Sequence, residues 1–168
     1  MSPRPGWLPD LVEMSDYGGD WARYEAALYR FFHADFIVSK PLFRGQAVNL
    51  KRHPIIQGKE ATYWHCISTG DVEAERLPDL RRSERIRWPR PCIEHETELR
   101  VWTEPRNGED RIHLWLESEG YLVVLAVRRG YVVLWTTFFV EREHERKKYA
   151  RRYQEAQKRL MPPRGTAS

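Results

Sequence analysis

Cysteine is scarce in this 168-residue chain, which holds only Cys66 and Cys92. Two isolated thiols exclude a disulfide framework and fit a reducing compartment. No run of about 18 apolar residues occurs, so no membrane-spanning helix is expected. The opening MSPRPGWLPD lacks the apolar centre of a secretory signal. A cytoplasmic protein with no membrane partner is the expectation. Several catalytic signatures are missing as well. Gly58-Lys59 has no upstream glycine and is followed by Glu60, which excludes a phosphate-binding loop of the Gly-Lys-Ser/Thr type. There is no Gly-x-Ser-x-Gly elbow and no His-Glu-x-x-His metal motif. His65-Cys66 and Cys92 with His95 have a composition zinc accepts, but neighbouring strand residues point to opposite faces. No metal site and no cofactor are expected.

What is present is organised around residues 121–140, YLVVLAVRRGYVVLWTTFFV. Two apolar runs, 121–127 and 131–140, are rich in valine and aromatic residues, which crowd a helix but suit a pleated surface. Arg128-Arg129-Gly130 separates them, and Gly130 can supply the positive φ of a tight turn. The spacing predicts a central β-hairpin.

The rest of the chain is read outward from it. Residues 1–19, with Pro3, Pro5 and Pro9, form an irregular lead-in. Residues 20–161 make a single α+β domain, and 162–168 a tail. Trp21, Tyr24, Leu28, Phe31 and Phe32 recur at helical spacing behind Asp20, a suitable N-cap, and predict a helix over 20–33. Residues 43–50 suggest a short strand, and Lys51-Arg52-His53 forms a small basic cluster before Pro54. Residues 61–68, ATYWHCIS, read as a further strand. A helix over 78–87 is expected to stop at Trp88-Pro89-Arg90-Pro91. Two strands then follow, over 94–103 and 111–117, the second alternating Ile112, Leu114 and Leu116 against Arg111, His113 and Trp115. With the hairpin they give an antiparallel sheet of four to five strands, flanked by the N-terminal amphipathic helix and a basic C-terminal helix over 141–161.

Charge is unevenly placed. Residues 1–140 carry 19 Lys and Arg against 20 Asp and Glu, whereas residues 141–168 carry 9 against 4. The last helix has a narrow stripe of Tyr149, Tyr153, Ala156 and Leu160, with its basic residues mostly off that stripe. A local cationic surface of this kind suits a polyanionic partner. Arg146, Lys147, Lys148, Arg151 and Arg152 are therefore candidates for contacts to nucleic-acid phosphates.

Three further groups carry chemistry. His65 titrates near neutrality and can act as general acid or base, as cleavage of RNA through its 2′-hydroxyl requires. Residues 81–90 contain five arginines. Among them Arg82 and Arg85 are candidates to hold a scissile phosphate and its developing charge. Thr136 and Thr137 interrupt an apolar strand, one toward the core and one outward.

A helix, a histidine-bearing strand, an arginine-rich segment and an antiparallel meander, in that order, resemble the barnase–EndoU–colicin–RelE ribonuclease superfamily, above all its phage- and prophage-borne members. Leu134-Trp135-Thr136-Thr137-Phe138 looks like the last hairpin of that fold, and Tyr63-Trp64-His65-Cys66 like its histidine segment. The resemblance spans residues 61–140. It implies a metal-independent endoribonuclease, a toxin or phage-related effector, with RNA as substrate and an antitoxin or immunity protein as a partner. His65 would be the acid or base, Arg82 and Arg85 would bind the phosphate, and Thr136 would orient it. The alternative reading is a non-catalytic module that binds nucleic acid or protein through the basic helix, with the seven tryptophans as stacking or interface groups.

Overall fold

A computed structural model describes residues 3–161; the tail expected at 162–168 lies outside them. Helix α1, Trp21–His33, starts where the sequence places it, with the Asp20 carboxylate accepting from the Arg23 amide at 3.2 Å. Its buried face is Tyr24, Ala27, Leu28 and Phe32, while Trp21 and Phe31 are half-buried. One acidic residue, Glu25, is buried on this helix and is satisfied by Lys59 Nζ at 2.6 Å. A π-helical turn, Ala34–Val38, continues α1 and leads to β1, Leu42–Phe43, and β2, Gln46–Leu50, which pair as a tight hairpin through Gly45.

The segment 61–68 departs from expectation. Ala61–Ile67 is a helix, α2, and not a strand. Its buried residues fall as 61, 62, 63 and then 66, 67, which is helical grouping; a strand would alternate. Aromatic and β-branched composition favoured a strand, but tertiary hydrogen bonds override that preference. The Ala61 and Thr62 amides, which a helix start leaves unpaired, donate to the carbonyls of Arg52 and Lys51. Thr62 Oγ1 also donates to the Leu134 carbonyl at 3.0 Å and so pins α2 to the hairpin.

Two small strands, β3 Ser68–Thr69 and β4 Leu77–Pro78, bracket a flap. The helix expected over 78–87 is only one turn, α3 Leu80–Ser83, capped by Asp79. Pro89 then opens a new helix, α4 Pro89–Glu94, so the proline-rich stretch restarts helix after breaking it. The meander follows as β5 Arg100–Arg106, β6 Glu109–Leu116, β7 Tyr121–Val127 and β8 Val132–Phe139, and the chain ends in α5, Glu143–Leu160.

The fold is α+β. Its sheet has six strands in the order β1-β2-β8-β7-β6-β5, and it is mixed, because β2 runs parallel to β8 through Val48–Leu50 and Val132–Leu134. The expected antiparallel sheet of four to five strands is therefore corrected. The β1–β2 hairpin adds to the free edge of β8, and its sequence gave no sign of direction.

Two apolar clusters lie on opposite faces of this sheet. The larger joins β6, β7 and β8 to α1, α2 and α4. The lead-in belongs to it, with Leu8 and Val12 buried and Tyr24 OH donating to the Val12 carbonyl at 2.6 Å. The smaller holds α5 against Trp102, Trp115, Leu122 and Val124 through Tyr149, Tyr153 and Ala156. Leu160, expected in that seam, is exposed.

Gly120 turns β6 into β7 with φ of 65°, and a β-carbon there would lie 2.5 Å from the Arg146 guanidinium. That guanidinium donates to the Val140 carbonyl at 2.7 Å. Gly120→Ala is expected to lower stability by about 1–2 kcal/mol from the left-handed backbone alone, with a further loss from displaced Arg146. Chemical denaturation midpoints measure it; an unchanged midpoint would refute the account.

Candidate functional site

The sheet face that carries the smaller cluster is only half covered by α5. Beside the helix lies an open cleft of about 590 Å³. Its floor is Leu122 and Val124 of β7 with Trp135, Thr136 and Phe138 of β8; Arg111 and His113 of β6 and Lys148, Tyr149 and Arg152 of α5 line it as well, as do His65, the flap residues Glu73 and Arg76, and Arg82. Six cationic side chains line it, Arg76, Arg82, Arg106, Arg111, Lys148 and Arg152, against two carboxylates, Asp71 and Glu73. Folding thus joins four arginines from the part of the chain that is neutral in sum, residues 1–140, to Lys148 and Arg152 of the basic last helix. Low-dielectric walls around a basic cleft concentrate its field on an anion.

A bulge shapes the floor. Val124 pairs with Thr136 and Leu125 with Leu134, so Trp135 is an extra residue in β8. Trp135 and Thr136 consequently both line the cleft, while Thr137 is fully buried on the opposite face. Trp135 itself lies between two cations, with Arg111 4.0 Å and Lys51 5.1 Å from its ring centre.

His65 reaches the cleft from α2, with Cys66 directed into the core. Its Nε2 lies 2.8 Å from Glu73 Oε1, and Lys51 Nζ is 3.8 Å from the same oxygen. Burial pulls the His65 pKa below its ordinary value, and the Glu73 carboxylate opposes that shift. Arg82 holds the end of α2, donating to the carbonyls of His65 at 3.1 Å and Ser68 at 3.0 Å, and its guanidinium sits 4.7 Å from the Phe138 ring centre.

The structure brings His65, Arg82, Thr136, Lys148 and Arg152 together. Arg85 is placed elsewhere, stacked 3.7 Å from the Phe139 ring centre on the other face and donating to the Arg81 carbonyl. Arg146 is tied to Val140, and Lys147 and Arg151 are exposed outside the cleft lining. Both cysteines are buried, and burial pushes the Cys66 thiol up to about 12, far from a reactive thiolate. Among the described residues no group of three or more His, Cys, Asp or Glu could hold a metal ion. Among them, too, no helix is long and apolar enough to cross a membrane.

One residue not singled out from sequence stands on the same floor. His113 of β6 pairs with Val124, which pairs with Thr136, so the three form one row across the sheet. With strands about 4.8 Å apart, the His113 and Thr136 backbones are about 10 Å from each other. His113 stacks on Trp102 at 4.9 Å. Arg152 makes a two-pronged pair with Glu104, at 2.9 and 2.5 Å, and its Nη2 lies 3.4 Å from His113 Nε2. Burial lowers the His113 pKa to about 4, opposed by Glu104, and the Arg152 pair holds Glu104 down at about 2. The signal for His113 was the alternation of β6, which sets it beside Arg111 and Trp115.

Comparisons with protein-family models, with curated proteins and with solved structures return no match.

Proposed function

We propose that the chain is an endoribonuclease that works without a metal ion. The observation that carries this reading is the convergence of two imidazoles, a threonine and six cations, drawn from separate segments, on one cleft. The resemblance to the barnase–EndoU–colicin–RelE superfamily points the same way, with His65 on a helix in place of a strand. Arginine and lysine side chains offset the charge that develops on the phosphoryl oxygens, the work a metal ion does in other nucleases.

The chemistry divides between the two ends of the cleft. His113, neutral by burial, takes the proton from a ribose 2′-hydroxyl. That oxygen forms a bond to the adjacent phosphorus as the bond from phosphorus to the 5′-oxygen breaks. His65, whose protonated form Glu73 favours, delivers a proton to the leaving 5′-oxygen. The products are a 2′,3′-cyclic phosphate and a 5′-hydroxyl. Thr136, in one row with His113 on the cleft floor, donates to a non-bridging oxygen. Arg82 binds on one flank and holds α2, while Lys148 and Arg152 bind the neighbouring backbone.

This assignment predicts an acidic optimum. Activity rises with pH as His113 loses its proton, from about 4 upward, and falls as His65 loses its own below 6.5. The charges facing His113 are Glu104, Arg111 and Arg152; those facing His65 are Glu73, Arg76, Lys51 and Arg82. The test is cleavage of end-labelled RNA in EDTA from pH 4 to 9, with mapping of the ends. A bell centred between about 4 and 6.5 with cyclic phosphate termini supports the reading. Ends with 3′-hydroxyls, or cleavage that EDTA abolishes, would overturn it.

A second reading is favoured by the Glu73 contact, which occupies His65 Nε2. On that reading the cleft binds RNA and does not cut it, and the same assay would show retention without cleavage. In a cell, a nuclease of this kind calls for an antitoxin or immunity protein, and an acidic segment filling the cleft would serve.

A further inference from the structure

The basic cluster Lys51-Arg52-His53 is only partly accounted for by the cleft. Lys51 lies at its edge, above Trp135, but Arg52 opens onto a second groove of about 260 Å³. That groove is lined by Lys40, Asn49, Arg52, Tyr131 and Val133, together with apolar residues of the π-helical turn. Lys40 Nζ donates to Asn49 Oδ1 at 2.6 Å, and among the described residues neither Lys40 nor Arg52 lies in an ion pair. No carboxylate lines this groove. Tyr131 is 37% exposed beside them.

The position of the groove matters more than its size. Val132 and Leu134 point into the larger core, so Val133 and Trp135 share the opposite face. Val133 lines the second groove and Trp135 the cleft. Two positions along a strand are about 7 Å, a step comparable to one nucleotide of extended single-stranded RNA. Asn49 lies level with Val133 in the parallel β2–β8 pair and carries the same face sideways to Lys40.

We infer that this groove is a second RNA subsite, which holds the nucleotide next beyond the two that flank the scissile bond: Lys40 and Arg52 take its phosphate and Tyr131 stacks on its base. The inference rests on the cleft being an RNA site and adds to it the direction of the strand, along β8 from the flap toward the β1–β2 hairpin. The preferred substrate is then single-stranded RNA longer than two nucleotides. A tyrosine platform with two cations discriminates little between bases.

The experiment uses 2′-O-methyl oligonucleotides of two to eight nucleotides, in which the attacking hydroxyl is blocked. Binding to the full chain is followed by fluorescence anisotropy for wild type and for Lys40→Ala/Arg52→Ala/Tyr131→Ala. Wild type is expected to gain about tenfold in affinity between dimer and pentamer. The triple variant is expected to keep dimer affinity and lose that gain. Its salt dependence on the pentamer should fall by about 0.7 in slope, the value for one phosphate no longer neutralised. All three side chains are on the surface, and an unchanged thermal midpoint confirms the fold. A length gain unchanged in the triple variant would overturn the subsite alone. Failure of wild type to bind any length would overturn both the subsite and the RNA reading of the cleft.

Discussion

His65→Ala is expected to lower RNA cleavage by about 10²- to 10⁴-fold, the usual contribution of a positioned proton donor. The side chain is only 16% exposed, yet its removal leaves the backbone of α2 held by Arg82 and by the Lys51 and Arg52 carbonyls. The fold should therefore survive, and Glu73 retains Lys51 at 3.8 Å as a counter-ion. Wild type and variant compared on labelled total RNA in EDTA give a direct answer. Glu73→Gln supplies the second arm. It keeps the geometry but removes the charge that favours the imidazolium, so the alkaline limb of the rate profile should move to lower pH. Equal cleavage by wild type and His65→Ala would take His65 out of the mechanism.

Trp115→Ala is expected to have the largest effect on stability, a loss of about 3–5 kcal/mol. Trp115 is fully buried and lies under α5, with its ring 5.2 Å from that of Tyr149. The cluster it anchors contains only six buried residues, three of them large, so the cavity has few neighbours able to close it. The larger core on the other face does not include Trp115. Loss should therefore concentrate in α5, and with it go Lys148 and Arg152. Hydrogen exchange would show faster amide exchange in 143–160 than in β7; uniform acceleration along the chain would contradict a separately held helix.

How much of this was legible in the sequence depended on whether the deciding interaction was local. The central hairpin, the 20–33 helix and its Asp20 cap, and the basic terminal helix are set by spacing and composition close along the chain, and they stand as read. Residues 61–67 did not, because the groups that make them helical are the Arg52, Lys51 and Leu134 carbonyls, two of them nearby but the third 72 positions away. The arginine-rich segment had the right charge but not the right destinations. Arg82 lines the cleft, Arg85 stacks on Phe139, and Arg90 donates to the Asp35 and Ser39 carbonyls. Composition gives all three the same value, and only the turn between α3 and α4 separates them. Glu73, Arg76 and His113 escaped notice for a related reason. The first two sit on a polar flap without periodicity, and His113 looked like one more outward residue of an alternating strand.

The threonine pair is the sharpest case. Strict alternation from Val132 and Leu134 would send Thr136 inward and Thr137 outward; the bulge at Trp135 reverses both. That extra residue also acts as a registration key. Sliding β8 along β7 by one step would require the bulge to migrate, and every side chain beyond it would change face. The hairpin therefore has a single alignment in which core and cleft are both satisfied. Substitutions elsewhere in β7 and β8 can weaken the pair, but they cannot retune the position of Thr136 by small degrees. The geometry of the cleft floor is inherited as a whole or lost as a whole.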